Sequence, residues 1–214
     1  MTEIPMREVL HFLGWRASPL EPELLEQIKQ MTAFVQSEIA PRVITRRFPI
    51  DLDHRLAQTV FTPKGDDVMR LLDHCDEAVL MAATLGAGSE RMLLRTQAVS
   101  CADALLMDAV LSAAIEAVCD EQEEKLRREL LPLGLYLTDR FSPGYGDMPL
   151  EQTKEICAVL QTQKSIGLSV SHSGLMIPRK SVTAIMGVSK REPQRRPRGC
   201  VGCAMRENCA LREV

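Results

Sequence analysis

Apolar side chains recur at the three- and four-residue intervals of an amphipathic helix over several stretches of this chain. The clearest is residues 24–39, a helix that Pro41 closes. Residues 89–128 predict a longer helix, broken near Ser100 and rich in alanine in its second half. Shorter helices are predicted over residues 7–13, 66–74 and 149–164.

A second pattern, short apolar or β-branched runs between turn residues, predicts strands. Residues 77–85 (EAVLMAATL), which are apolar without a break over 78–83, end at the Gly86–Ala87–Gly88 turn and are typical of a buried strand. One or two strands are expected within residues 43–61. Further strands are predicted over residues 134–141, 166–171 and 181–188. Because these strands alternate with helices without regular βαβ spacing, we predict an α+β fold: a twisted, largely antiparallel sheet with flanking helices.

Length and composition limit how many domains the chain can form. The chain has 214 residues, 45% of them hydrophobic, enough for one domain with a sizeable core. We expect residues 1–65 to be a helical and extended part of the same domain as a core over 66–189. Residues 190–214 read as a basic linker with a cysteine-rich tail.

Charge and cysteine usage exclude several classes of protein. A net charge of −3 does not favour nucleic-acid binding. No apolar run reaches the roughly 20 residues that span a bilayer. The N-terminus has no secretory pattern, and the seven cysteines are an odd number. We therefore expect a cytoplasmic protein with reduced thiols, and no membrane or nucleic-acid partner.

One loop has the composition of a ligand site. Arg140 stands where a predicted strand ends, and two glycines, Gly144 and Gly146, follow it around Tyr145. Arginine clamps carboxylates bidentately, and glycine lets the backbone approach a ligand. The tyrosine ring suits an aromatic base or a cation. The pattern equally describes an ordinary strand–turn–helix junction.

The segment RFSPGYGD, residues 140–147, is similar to the R-x-x-x-G-Y signature of the activation domain of cobalamin-dependent methionine synthase, here in a short, stand-alone form. A second motif matches the same family, with a Gly-aliphatic strand, a Met-x-Pro turn and a Ser-Val strand at Gly167–Leu168, Met176–Pro178 and Ser181–Val182. The resemblance covers about residues 134–188. It departs from the signature at Gly146, where the family has proline.

This resemblance implies an S-adenosylmethionine site in an α+β domain that docks on a cobalamin-binding partner. Arg140 would pair with the methionine carboxylate, and Ser142, Pro143 and Gly144 would frame the ligand. Tyr145 would line the pocket, and Glu116 would balance the amino group or the sulfonium. The module would support reductive methylation of an inactive corrinoid, with an electron from a flavodoxin- or ferredoxin-like donor. We expect an accessory part of a split methionine synthase, without catalytic residues of its own.

A second site is predicted in the tail, where Cys200, Cys203 and Cys209 form a C-x2-C-x5-C cluster. Three thiolates at this spacing are typical of zinc or of an iron–sulfur cluster, with a fourth ligand from elsewhere. The alternative is a reduced thiol tail without metal. The four other cysteines are expected to be buried as small hydrophobes.

Two other functions remain open at this level. The same fold could activate another corrinoid methyltransferase, or the ligand pocket could be non-functional in an iron–sulfur or zinc accessory protein. A conventional S-adenosylmethionine methyltransferase is disfavoured because no glycine-rich loop follows a first strand. Whether Arg140 and Tyr145 face one open cleft distinguishes a functional ligand pocket from a non-functional one.

Overall fold

The computed structural model describes residues 3–15, 19–51 and 54–193. The helices of this part of the chain are α1 (Met6–Phe12), α2 (Pro22–Glu38), α3 (Asp66–Leu72), α4 (Ala87–Val99), α5 (Cys101–Leu130), α6 (Gln152–Leu160) and α7 (Thr162–Ser165). The strands are β1 (Arg42–Pro49), β2 (Glu77–Thr84), β3 (Tyr136–Leu137), β4 (Ser169–Val170), β5 (Met176–Ile177) and β6 (Ser181–Ser189). None of these described helices is both long and apolar enough to cross a membrane.

The main sheet is antiparallel throughout, in the order β1-β2-β6-β3. Strand β2 lies near its centre, and β6 pairs with it along its whole length, with Met81 opposite Ala184. The run predicted over residues 77–85 is therefore the buried strand that its apolar pattern indicates. The α+β class with an antiparallel sheet and flanking helices is confirmed.

Helices cover both faces of the sheet, and alternate residues of β2 enter two cores. Val79 and Met81 face a core that also contains buried side chains of α1, α2, α4 and α5. Ala78 and Leu80 face a second core, which receives α3 and α6. Because successive side chains of a strand point to opposite faces, a strand buried on both sides is apolar on both faces, as residues 78–83 of β2 are.

The predicted break in the long helix occurs at Ser100, as expected. Ser100 has extended backbone, with φ −150° and ψ 121°, and separates α4 from α5. Its Oγ accepts a hydrogen bond from the backbone N–H of Asp103 at 3.2 Å, an N-cap for the 30-residue α5. The alanines in the middle of α5 are buried against the sheet and the neighbouring helices.

The strand predicted over residues 134–141 is much shorter, since only Tyr136–Leu137 pairs regularly with β6. Beyond it the segment touches β6 at single points, with Thr138 N–H donating to Gly187 O at 2.9 Å. The side chain of Arg127 donates instead to the carbonyls of Leu137 and Thr138. The Gly187 N–H donates to the Thr138 hydroxyl at 2.8 Å instead of to a backbone carbonyl, so the regular ladder is interrupted although the segment stays beside β6.

Two other predicted elements are also divided. The helix expected over residues 149–164 begins at Gln152 and stops at Leu160, since Gln161 adopts a left-handed φ of 51° before α7. The strand expected over 166–171 is only Ser169–Val170. It pairs with β5 in a separate two-stranded sheet.

Candidate functional site

Arg140 lies between the sheet and the long helix. The next residue, Phe141, exchanges two 2.9 Å backbone hydrogen bonds with Ile185 of β6. These bonds fix the segment after β3 at the sheet edge. The Arg140 side chain is 17% exposed and extends to α5.

Three carboxylates of α5 hold the Arg140 guanidinium. Its Nη2 lies 2.6 Å from Oε2 of Glu116, and its Nη1 lies 2.5 Å from Oδ1 of Asp120 and 2.8 Å from Oε2 of Glu123. The acids stand at positions i, i+4 and i+7 of one helix, so they share a face. The structure thus brings together Arg140 and Glu116, the two charged residues predicted for the site.

Glu123 connects this arginine to a second one. Its carboxylate is only 2% exposed, and its Oε1 accepts from Arg127 Nη2 at 2.6 Å. Arg127 also contacts Asp139 Oδ1 at 3.1 Å. We call Glu116, Asp120, Glu123, Arg127, Asp139 and Arg140 the acid–arginine cluster. Its four acids against two arginines give a formal charge of −2.

The surroundings shift the pKa values of the Arg140 guanidinium and of the neighbouring Cys119 thiol upward. Burial lowers the pKa of Arg140, but the hydrogen bond and charge of Asp120, with the charge of Glu116, outweigh burial and raise the pKa overall. Burial raises the pKa of the adjacent Cys119 thiol to about 12, although the Arg140 charge opposes this. Cys119 therefore stays protonated and is not a thiolate ligand at neutral pH.

The loop after Arg140 is a compact double turn. Gly144 N–H donates to Met148 O at 2.9 Å, and Tyr145 N–H donates to Ser142 O at 3.1 Å. Gly144 has φ 90°, which glycine adopts without strain. Pro143 is buried, Ser142 is half-buried and the Tyr145 side chain is 70% exposed. The tyrosine is thus open to solvent, whereas the arginine is largely enclosed by carboxylates.

Asp147 ties this loop to the start of α3. Its Oδ2 accepts from the Asp66 N–H at 2.6 Å, and its Oδ1 accepts from the Asp67 N–H at 3.0 Å. These backbone hydrogen bonds lower the pKa of Asp147 below its ordinary value. A Cβ on Gly65 would lie 2.6 Å from Asp147 Oδ1, so the close approach requires glycine there.

Sequence reasoning missed four members of the acid–arginine cluster: Asp120, Glu123, Arg127 and Asp139. A local signal exists for two of them, because Glu116, Asp120 and Glu123 have the spacing of one helical face. No local signal pairs that face with Arg140.

The predicted metal ligands Cys200, Cys203 and Cys209 lie outside the described residues. Within the described ranges, no group of three His, Cys, Asp or Glu side chains is placed to hold a metal ion. Of the four other cysteines, Cys119 and Cys157 are buried, Cys75 is half-buried and Cys101 is exposed. The expectation that all four are buried is therefore wrong for Cys101, which begins α5 on the solvent side.

Comparison with known proteins supports the fold alone. No family model and no curated protein matches the sequence, whereas thirteen chains of solved structures are similar to it. One such structure is described as the "Crystal Structure of the MetH Reactivation Domain bound to AdoHcy". It is 16% identical, with a TM-score of 0.63, covering 88% of this chain and 76% of that one.

Proposed function

We propose that this chain binds S-adenosylmethionine and serves as an activation module for a cobalamin-dependent methionine synthase. The observation that carries the proposal is the acid–arginine cluster beside the glycine-containing loop, on a fold related to that of a domain crystallised with AdoHcy. Cobalamin would enter only through a partner protein.

The charges of the acid–arginine cluster fit this ligand. The methionine part of S-adenosylmethionine carries one carboxylate and two cationic groups, the ammonium and the sulfonium. Arg140 is the partner for the carboxylate, because its planar fork matches carboxylate geometry. Glu116 and Asp120, which are more exposed than Glu123, are the partners for the cations. Ligand binding would therefore replace ion pairs that Arg140 makes within the protein with ion pairs between the protein and the ligand.

The loop supplies the remaining surface of the proposed site. The exposed Tyr145 ring offers a flat face to the adenine or to a cation. The turn at Ser142 and Gly144 lies next to Arg140 in the chain and presents backbone groups, while Pro143 anchors it in the protein. When bound, S-adenosylmethionine supplies the methyl group. The residues named here would bind and orient it.

The partners follow from the same proposal. A reduced corrinoid protein, such as the rest of a split methionine synthase, would accept the methyl group in the cytoplasm. A flavodoxin- or ferredoxin-like protein would supply the electron. An activator of another corrinoid methyltransferase would use the same ligand site, so the identity of the corrinoid partner distinguishes these two functions.

One observation favours a second function. The Arg140 guanidinium is already paired with three carboxylates, as in a purely structural ion-pair cluster. In that case the protein would be an accessory protein whose ligand pocket is non-functional.

Isothermal titration of S-adenosylmethionine into the full chain tests the proposal. We expect saturable 1:1 binding, with weaker binding of free methionine, which lacks the adenosyl group and the sulfonium. An absorbance spectrum of the same anaerobic sample records any iron–sulfur chromophore. Absence of binding by a folded sample would leave the non-functional pocket as the better account.

A further inference from the structure

Strand β1 is an edge of the main sheet and pairs with β2 on one side only. In such a strand, alternate residues turn their backbone N–H and C=O groups away from the neighbouring strand. Ile50, directly after β1, donates its N–H to Asp76 O at 3.1 Å on the side of β2. The C=O of Pro49 accepts from the Ala57 N–H at 2.8 Å on the opposite side. The odd-numbered residues of β1 therefore present their backbone groups at the outer edge.

The outer edge is open over residues 43–47. No hydrogen bond among the described residues reaches the outward N–H or C=O groups of Val43, Thr45 and Arg47. The turn over 51–57 pairs with the chain only from Pro49 onward, where proline has no N–H to offer. The open stretch is about 16 Å long at ~3.3 Å per residue, enough to pair with a short strand.

Three arginines of β1 make this edge positive. Arg47 is paired with Glu77 of β2. Arg46 Nη1 donates to the backbone carbonyl of Val159 at 3.2 Å, a bond that leaves its charge uncompensated. Arg42 is exposed and makes no ion pair within the described part of the chain. Three cations and one paired acid leave a formal charge of +2 along the strand.

We propose that the outer edge of β1 binds an extended, acidic segment of a partner protein, which adds a fifth strand to the main sheet. Backbone hydrogen bonds to Val43, Thr45 and Arg47 would hold the segment, as in other cases of strand addition. Its carboxylates would pair with Arg42 and Arg46, which supplies the selectivity.

The arginines also decide against a second copy of this chain as the occupant. Two β1 edges paired with each other would bring the arginines of both copies together, and like charges on adjacent strands destabilise the pairing. Charged side chains on an edge strand oppose self-association in this way. The same charges attract an acidic strand, so they exclude one partner and select another.

Fluorescence anisotropy with a labelled synthetic peptide of alternating glutamate and valine tests the surface on the full chain. We expect saturable binding that weakens as salt is added, because part of the attraction is between exposed charges. A matched peptide of alternating lysine and valine should not bind. Equal binding of the two peptides, or no binding of the acidic one, would overturn the proposal.

Amide hydrogen exchange shows where the peptide binds. Without peptide, the N–H groups of Val43, Thr45 and Arg47 should exchange quickly, whereas those of Ile44 and Arg46, which face β2, should be protected. Bound acidic peptide should slow exchange at the three outward amides by at least about tenfold. Unchanged exchange there in the presence of bound peptide would place the binding elsewhere and overturn the proposal.

Two variants test the backbone and charge contributions separately. Thr45→Pro removes an outward N–H that the β1–β2 ladder does not use, and Thr45→Val is its control because it keeps that N–H. Arg42→Glu reverses an edge charge, with Lys125→Glu on the exposed side of α5 as control. We expect Thr45→Pro and Arg42→Glu each to weaken peptide binding by about tenfold or more, and the controls to bind as the wild type does.

Two results with these variants would contradict the assignment. Wild-type affinity in folded Thr45→Pro and Arg42→Glu proteins would remove the β1 edge from the binding surface. A dimer in sedimentation experiments that Thr45→Pro dissociates would assign the edge to a second copy instead. S-adenosylmethionine titration of the same variants reports the proposed ligand site separately, since the edge does not depend on it.

Discussion

The Nη2 atom of Arg140 lies 2.6 Å from Oε2 of Glu116, although 24 residues separate the two in the chain. Sequence reasoning selected both as ligand-binding residues, for opposite charges of the same molecule. Their direct contact means that each partly neutralises the other without ligand. A ligand with a carboxylate and a cation can replace both halves of this pair at once, whereas a simple anion would leave the carboxylates unpaired.

We expect Arg140→Ala to weaken S-adenosylmethionine binding by about 2–4 kcal/mol, because the ligand carboxylate loses its charged partner. Titration calorimetry measures the change. Arg128→Ala removes an exposed arginine of α5 and serves as control. Equal affinities of folded Arg140→Ala and wild-type protein would place Arg140 outside the ligand site.

Asp120→Asn should weaken S-adenosylmethionine binding by about 1.5–3 kcal/mol, the usual contribution of a hydrogen bond to a charged group. Its effect on AdoHcy, which lacks the sulfonium charge, should be smaller if Asp120 faces the sulfonium. Glu124→Gln changes an exposed acid on the same helix and should leave both affinities unchanged. An equal loss for both ligands would assign Asp120 to the amino group instead.

Glu123→Ala should lower the free energy of unfolding by about 3–5 kcal/mol, since it removes the buried carboxylate shared by Arg127 and Arg140. Urea denaturation followed by circular dichroism provides the measurement. The neighbouring exposed Glu124→Ala should change stability by less than about 0.5 kcal/mol. A similarly small effect of Glu123→Ala would show that the free energy needed to desolvate the buried carboxylate is as large as the stabilisation from its ion pairs.

Asp147→Asn should make the protein less stable at neutral pH but not in acid. The folded-state pKa of Asp147 lies below the ordinary value of 3.8, since the Asp67 and Asp66 amides donate to its carboxylate. Its contribution is therefore present above that ordinary value and is lost as pH falls through the lowered folded-state pKa. Melting temperatures of the two proteins measured from pH 7 downward should converge in strong acid. A constant difference across the range would exclude the Asp147 charge as the cause.

Gly187→Ala should destabilise the fold by about 1–3 kcal/mol because its new methyl group would meet Cys75 Sγ at 2.5 Å. Combining it with Cys75→Ala removes the sulfur and should recover part of this loss. A double-mutant cycle measured by denaturation gives the coupling between the two positions. Independent, additive effects would show that Leu72 and Thr138, which also adjoin the new methyl group, cause the loss.

Features with a local physical cause were predictable from sequence. The apolar run over 78–83 identifies a strand buried on both faces, because it offers no polar position for solvent. Ser100 breaks the long helix, since its side chain can cap the next helix through the Asp103 N–H. The two glycines after Arg140 identify a tight loop, and the α+β class follows from the order of these elements.

The tertiary structure decided where distant side chains meet. It placed three acids of one helical face against Arg140, and it interrupted the β3 ladder where the Gly187 N–H donates to the Thr138 hydroxyl. It also brought His74 to the end of β6. These relationships depend on how the sheet packs against the helices, and charge pairing across 20 or more residues leaves no periodic pattern in a single sequence.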